Sequence, residues 1–281
     1  MRRFLQVWVS AIIILFHATA FSKEIDNTLP PLQFGLLPYL SVHQLIKNYL
    51  PLKNYLEEKL GRTIVMTTAP DYRSHLLRIR DNVYDFYLTA PHMAALAEHD
   101  WQARRLAGYK RRLEGSLVVA KNSPYRQIAD IRGKIIAAPG PYAIVTMLAE
   151  SLLGSHHLIP GENVIITAAH NNSLLAVIRG NADAAVISSS VFEQQKYKQQ
   201  LRLLGTTQSV PHAMFMARAH INESDYLAIR DAFMHFTADG PGKLFFEHTG
   251  YIDMVSITDA QMRELEPFAE TLRHLLYGEY D

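Results

Sequence analysis

Cysteine is absent from the 281 residues. That excludes a disulfide framework, a thiolate nucleophile and a cysteine-based zinc site together. It also removes the residue that carries a lipid anchor just after an export signal. Excess charge is missing too: 28 Lys plus Arg stand against 27 Asp plus Glu, so no global basic footprint points to nucleic acid. The local basic clusters, Arg104 with Arg105 and residues 110–112, read as solvated faces. Catalytic signatures are scarce: the chain has no G-x-S-x-G elbow, no H-E-x-x-H, no Walker loop and no G-x-G-x-x-G. "DGPGK" (239–243) ends in Gly-Lys without the upstream glycine of a phosphate loop and reads as a helix-breaking turn. The 13 histidines are scattered, and adjacent His156 and His157 point apart on a helix. No metal and no cofactor is expected.

What is present begins with Arg2 and Arg3, the apolar run "FLQVWVSAIIILF" and the small residues "ATA". Basic start, short apolar run and small residues are the layout of an export signal over residues 1–20. The apolar run is short for a membrane span, which needs about 20 residues; the alternative is an uncleaved anchor. An exported protein without a lipid anchor needs a second membrane to retain it, so the expected location is the periplasm.

The composition, 48% hydrophobic and 20% charged, is that of a globular chain, and its length fits two domains better than one. Short β-branched runs alternate with helical periodicity. "LQFGLLPYL", "TIVMTT", "YDFYLTAP", "GSLVVAKN", "KIIAAP", "NVIITAA", "ADAAVIS", "LRLLGTT" and "HAMFMARA" read as strands. Helices are expected from Leu45 to a stop at Gly61, over "YRSHLLRIRDN", over residues 142–153 and 173–178, and mostly from Asn222 onward. Pro51 either splits the first helix or begins its second half. The alternation implies an α/β fold with mixed, mostly parallel sheets flanked by helices. No glycine-rich linker separates two beads, which points to two lobes joined by crossing strands. "IRDNVYDFYLTAP" (79–91) and "IRGNADAAVISSS" (178–190) share a layout of helix end, turn and buried strand. Ligands of open α/β sheets lie beyond the carboxyl ends of strands, so Thr89 and Ser188 with Ser189 are expected to face one cleft. The alternative is a plain αβ turn that such folds repeat.

Four motifs occur in order: F-G-x-x-P at 34–38, P-L-x-x-Y-L-x-x-x-L-G at 51–61, D-Y followed by Arg80 at 71–80, and an Asp-to-Pro strand end at 85–91. "SPYRQIADIRGK", "GNADAAVIS" and "ADGPGKLFFEHTGYIDMVSITDAQM" follow. This ordered set resembles the phosphate/phosphite/phosphonate-binding periplasmic proteins of ABC transporters, over essentially the whole mature chain. The resemblance implies a two-lobed type II periplasmic binding fold, with crossovers near 113–119 and 208–214. Lobe one is then 24–112 plus 211–281, and lobe two 113–210. It further implies a monomer that captures a small-molecule ligand between its lobes and delivers it to an ABC permease. A ligand receptor for a membrane sensor kinase or cyclase is the alternative. An enzyme on the same fold would use His170 with Asp183 or Glu193, but no activated nucleophile is evident, and the chain is not expected to be an enzyme.

One departure bears on the ligand. Where the family's phosphonate binders carry a Ser-Thr-Ser-Gly-type run, this chain has Pro139-Gly140-Pro141-Tyr142-Ala143. Pro141 suits a first helical position and Gly140 a tight turn. Free N–H groups at Tyr142 and Ala143 are expected to meet an anion or carbonyl, with Thr146 the nearest hydroxyl. Near Ser188, relatives place an acidic residue that meets an amine; here only serines stand. His170 matches a strand-end His or Ser of the family, its alternative being a surface-loop histidine. Tyr39, Tyr87 and Tyr142 are expected to wall the cleft, the alternative for each being a packed position inside a lobe. The expected ligand is a small oxoanion-like or polar solute, less charged than a full phosphonate.

Overall fold

Two sheets are built from the alternating segments in this computed structural model, which describes residues 28–155, 163–167, 169–194 and 196–278. The export signal and His156–His157 lie outside the described residues. The first sheet begins with β1 (Leu32–Leu36), α1 (Val42–Leu60), β2 (Ile64–Thr68), α2 (Tyr72–Arg80), β3 (Phe86–Thr89), α3 (Pro91–Trp101) and β4 (Arg104–Tyr109). The second contains β5 (Gly115–Ala120), β6 (Ile136–Ala138), α4 (Ile144–Ser155), β7 (Val164–Ile166), α5 (His170–Ile178), β8 (Ala184–Ser188), α6 (Ser189–Glu193) and β9 (Leu201–Thr206). The chain then rejoins the first sheet through β10 (Met214–Ala217), α7 (Glu223–His235), α8 (Lys243–Thr249), β11 (Met254–Val255) and α9 (Asp259–Tyr277).

Strand order is β11-β4-β10-β3-β1-β2 in the first sheet and β7-β6-β8-β5-β9 in the second. Both sheets are mixed, as expected. β1 pairs in parallel with β2 and β3, and β6 with β7 and β8, because a helical crossover separates each such pair. β10 runs antiparallel to β3 and β4, and β5 antiparallel to β8 and β9. β4 and β5 flank the first stretch where the chain changes sheets and β9 and β10 the second, and of these four β10 and β5 run against the parallel strands of their sheets. Those stretches pair with each other: the Leu113 N–H donates to the Val210 carbonyl at 2.8 Å, and Val210 returns the bond at 2.9 Å.

Local chemistry sets the element ends. Ser41 accepts from the Gln44 N–H at the start of α1, and Gly61 (φ 62°) closes it in the left-handed region. α1 runs through Pro51 as one helix, the first of the two ways to read that proline being overturned. β4 falls on residues expected to be a solvated basic face. Arg104 instead pairs with Glu223 at 2.6 Å, and Arg105 with Glu98 at 2.7 Å and Asp259 at 2.6 Å. Arg111 and Arg112 of the crossing are likewise paired, with Glu193 and Glu264. The first sheet's core is aromatic: Phe34 stacks on Phe86 at 4.6 Å, and Phe215 meets Phe233 at 4.4 Å. The carboxyl ends of β1 and β3 from one sheet and of β6 and β8 from the other converge on a single cleft.

Candidate ligand-binding site

A small cavity of about 30 Å³ lies between the sheets, against roughly 10–15 Å³ for one water. Its walls are mostly apolar: Leu37, Ala90, Pro91, Leu113 and Ile144 among others. Polar groups enter from Tyr39, Tyr72, His170, Ser188, His212 and Tyr251. Among the described residues, no Arg, Lys, Asp or Glu side chain borders it.

The corner that opens α4 shapes one end. Gly140 adopts φ +109°, a region glycine enters freely, and the Ala143 N–H donates back to the Gly140 carbonyl at 3.1 Å. Of the two N–H groups expected to be free here, that of Ala143 is therefore used. The next two, Ile144 and Val145, begin the helix and have no acceptor among the described residues, as the first turn of any helix requires. Both residues border the cavity, so the partial positive charge of the helix start faces it.

The opposite wall is a buried chain of tyrosine hydroxyls. Tyr251 donates to Tyr39 at 3.0 Å, Tyr39 and Tyr49 bond at 3.1 Å, and Tyr49 and Tyr109 at 3.1 Å. Burial raises the ionisation of all four well above the usual tyrosine range, so each keeps its proton and can donate once. Burial lowers His170 to about 4 and His212 to about 3, the latter helped by Arg111. Both imidazoles are neutral at any physiological pH. The cavity is an uncharged, donor-bearing pocket.

The expected site residues divide. Tyr39, Ala143, His170 and Ser188 border the cavity. His170 is the first residue of α5 rather than a surface loop residue, and it is buried. Ser189 borders an adjoining polar chamber with Arg111 and His212, its hydroxyl bonded to Ser116 at 2.8 Å. Thr89 and Thr146 are buried beside the cavity but do not border it, and neither hydroxyl has a partner. Tyr87 does not reach it either: lying two residues before the end of β3, it packs inside the sheet face near Tyr84, at 6.3 Å. Tyr142 is the clearest correction. Its carbonyl is met by His92 Nε2 at 3.2 Å and its hydroxyl donates to the Leu275 carbonyl at 2.7 Å. It clasps the two lobes together instead of walling the cleft.

His170 does not assemble with the suggested acid–base partners. Asp183 accepts from the Tyr125 hydroxyl at 2.7 Å and the Ile135 N–H at 2.9 Å, and Glu193 pairs with Arg111. Tyr72, His212 and Tyr251 were missed by sequence reasoning. His212 follows a proline in the second crossing, and a histidine at a lobe crossover was the available signal.

Two mixed α/β lobes, two crossing segments and a buried pocket between them define a clamshell solute-binding protein. Comparison with known proteins gives the family. The model for the ABC transporter phosphonate periplasmic substrate-binding protein matches residues 34–262. The phosphonates-binding periplasmic protein of Escherichia coli K12 is 21% identical over 260 residues, covering 85% of this chain and 77% of that protein. PhnD1 of Prochlorococcus marinus, solved with methylphosphonate, superposes with TM-score 0.78 at 14% identity, covering 86% of this chain and 98% of that one. The binding component of a Pseudomonas aeruginosa ABC phosphonate transporter gives 0.76 at 17% identity, covering 90% of each chain. The chain belongs to the family of periplasmic substrate-binding proteins of phosphonate ABC transporters. That family consists of binding proteins, not enzymes.

Proposed function

We propose that this chain is the exported solute-binding component of an ABC importer, and that it takes a small, singly charged oxoanion of the phosphonate class with an apolar or weakly polar substituent. Residues 1–20 serve as a cleaved signal, and the protein works without a lipid anchor as a monomer. Its lobes are 24–112 with 211–281, and 113–210. The family's transporter members support delivery to a permease over signalling to a membrane sensor.

One observation carries the ligand class: the pocket offers donors at the start of α4 and, among the described residues, no full charge on its wall. An anion buried without a counter-charge loses its hydration, and the loss grows steeply with charge. A helix start supplies only about half a positive charge. A single negative charge spread over several oxygens fits that field, and a dianion does not. The hydroxyl run missing from the corner points the same way.

The test is a thermal-shift series with methylphosphonate, phosphate and sulfate, followed by calorimetric titration. Methylphosphonate at a hundred times its Kd adds about 2.7 kcal/mol of stability, which raises the melting temperature by several degrees. Sulfate, doubly charged, is expected to shift it least. Equal shifts for sulfate and methylphosphonate would refute the single-charge reading. No shift with any of them, and no small oxoanion released on denaturation, would refute the ligand class.

A further inference from the structure

His212 belongs to the second crossing, between Thr206 and Met214. Its Nδ1 accepts the N–H of the next residue, Ala213, at 2.8 Å. An imidazole nitrogen that accepts carries no hydrogen, so in the neutral ring the proton sits on Nε2. That Nε2–H is buried and has no partner among the described residues, while the whole residue is 5% exposed. The ring is held edge-on to Tyr109 at 5.4 Å and to Tyr251 at 4.9 Å, so it cannot turn away to find water. It borders both the central cavity and the polar chamber beside Arg111 and Ser189. A fixed, buried donor therefore stands at the partition between the two spaces.

We propose that His212 Nε2–H is a ligand-specificity donor, and that the protein selects phosphonates whose carbon substituent carries a hydrogen-bond acceptor, such as a carbonyl or hydroxyl, over those carrying an ammonium. This rests on the phosphonate-class reading above and deepens it. The head group sits at the start of α4, and the substituent reaches His212. An ammonium there would meet a donor instead of an acceptor. It would find no carboxylate on the cavity wall among the described residues; the carboxylate of the adjoining chamber, Glu114, belongs to an exposed residue outside that cavity. An acceptor would satisfy a group that is otherwise buried and unpaired, an arrangement strongly selective for the right partner. Because His212 lies on a crossing segment, the same bond ties the ligand to the strand that joins the lobes.

Two substitutions separate the ring's two nitrogens. In His212→Asn the side-chain oxygen overlays Nδ1 and keeps the Ala213 contact, but nothing occupies the Nε2 position. In His212→Gln the amide nitrogen overlays Nε2 and keeps the donor. Full-length mature protein and both variants are titrated with methylphosphonate, phosphonoacetamide and 2-aminoethylphosphonate. The unsubstituted protein is expected to bind phosphonoacetamide about tenfold or more tighter than 2-aminoethylphosphonate. His212→Asn should lose most of that ratio, and His212→Gln should retain it. A ratio unaffected by His212→Asn, or a preference for the ammonium compound, overturns the proposal and leaves the phosphonate reading intact. Failure of all three compounds to bind overturns both. Nitrogen-15 spectra of the His212 ring in the unsubstituted protein give an independent reading that survives any misfolding of the variants. The hydrogen is expected on Nε2, and a hydrogen on Nδ1 overturns the proposal.

Discussion

At Gly35 a single missing carbon lets a tyrosine ring lie against a β-strand. A Cβ placed there would sit 2.5 Å from two atoms of the Tyr84 ring, well inside van der Waals contact. Tyr84 is buried and packed against His75, with ring centroids 5.5 Å apart, so it has nowhere to retreat. Gly35→Ala is expected to destabilise the protein by about 1–3 kcal/mol through overpacking, read as a lower urea midpoint at unchanged m-value. An unchanged midpoint would mean that the Tyr84 ring moves freely. The residue scale is also where sequence reasoning about the site was weakest. Tyr39, Ala143, His170 and Ser188 lie at strand ends or helix starts, positions that periodicity locates, and the structure brings them to one pocket. Tyr251 bonds Tyr39 from 212 positions away, a juxtaposition no local pattern encodes. Tyr142 was misjudged for the opposite reason: its position beside the cleft is legible, but the direction of its side chain depends on α9.

Among the elements, α1 keeps a proline at its tenth residue without breaking. Pro51 lies inside the helix, where it donates no N–H and leaves the carbonyl four residues earlier, that of Lys47, without its helical partner. Lys47 is an exposed residue, on the side of the helix that faces solvent. The buried face of Leu45, Tyr49, Leu52, Tyr55 and Leu56 holds the helix on the sheet across the defect. Pro51→Ala should restore one backbone bond and raise stability by roughly 1–3 kcal/mol, discounted for the freer unfolded chain. Calorimetric melting decides it, and a lower melting temperature would show that the proline's shape is needed for packing. The same element scale explains what the sequence made legible. Strands and helices with strong period appear where expected, whereas β4 was hidden because "RRLAGY" opens with two arginines. Their charge suggests solvent, yet both are neutralised by carboxylates brought from Glu98, Glu223 and Asp259, so tertiary pairing overrode composition.

For the whole molecule, four buried histidines link stability to pH. Burial is the main cause in each case: His75, His92 and His212 are lowered to about 3 and His170 to about 4. They are spread over both lobes and the crossing, and His92 also holds the Tyr142 carbonyl across the cleft. In the unfolded chain each titrates near the ordinary value of about 6.5. Between that value and the folded ones, the unfolded state binds more protons, so stability rises with pH through this window. The contribution is fully present above about pH 6.5 and is lost as pH falls towards 4. Each histidine is worth about 1 kcal/mol between pH 6.5 and 5.5, so the four together cost several kcal/mol of stability over that single unit. Urea unfolding at pH 7.5, 6.5 and 5.5 measures it directly. The slope should correspond to uptake of up to four protons on unfolding, and His92→Gln should reduce it by about one. A stability flat from pH 7.5 to 5.5 would mean that these rings are protonated or solvated in the folded state and that the pocket is not uncharged.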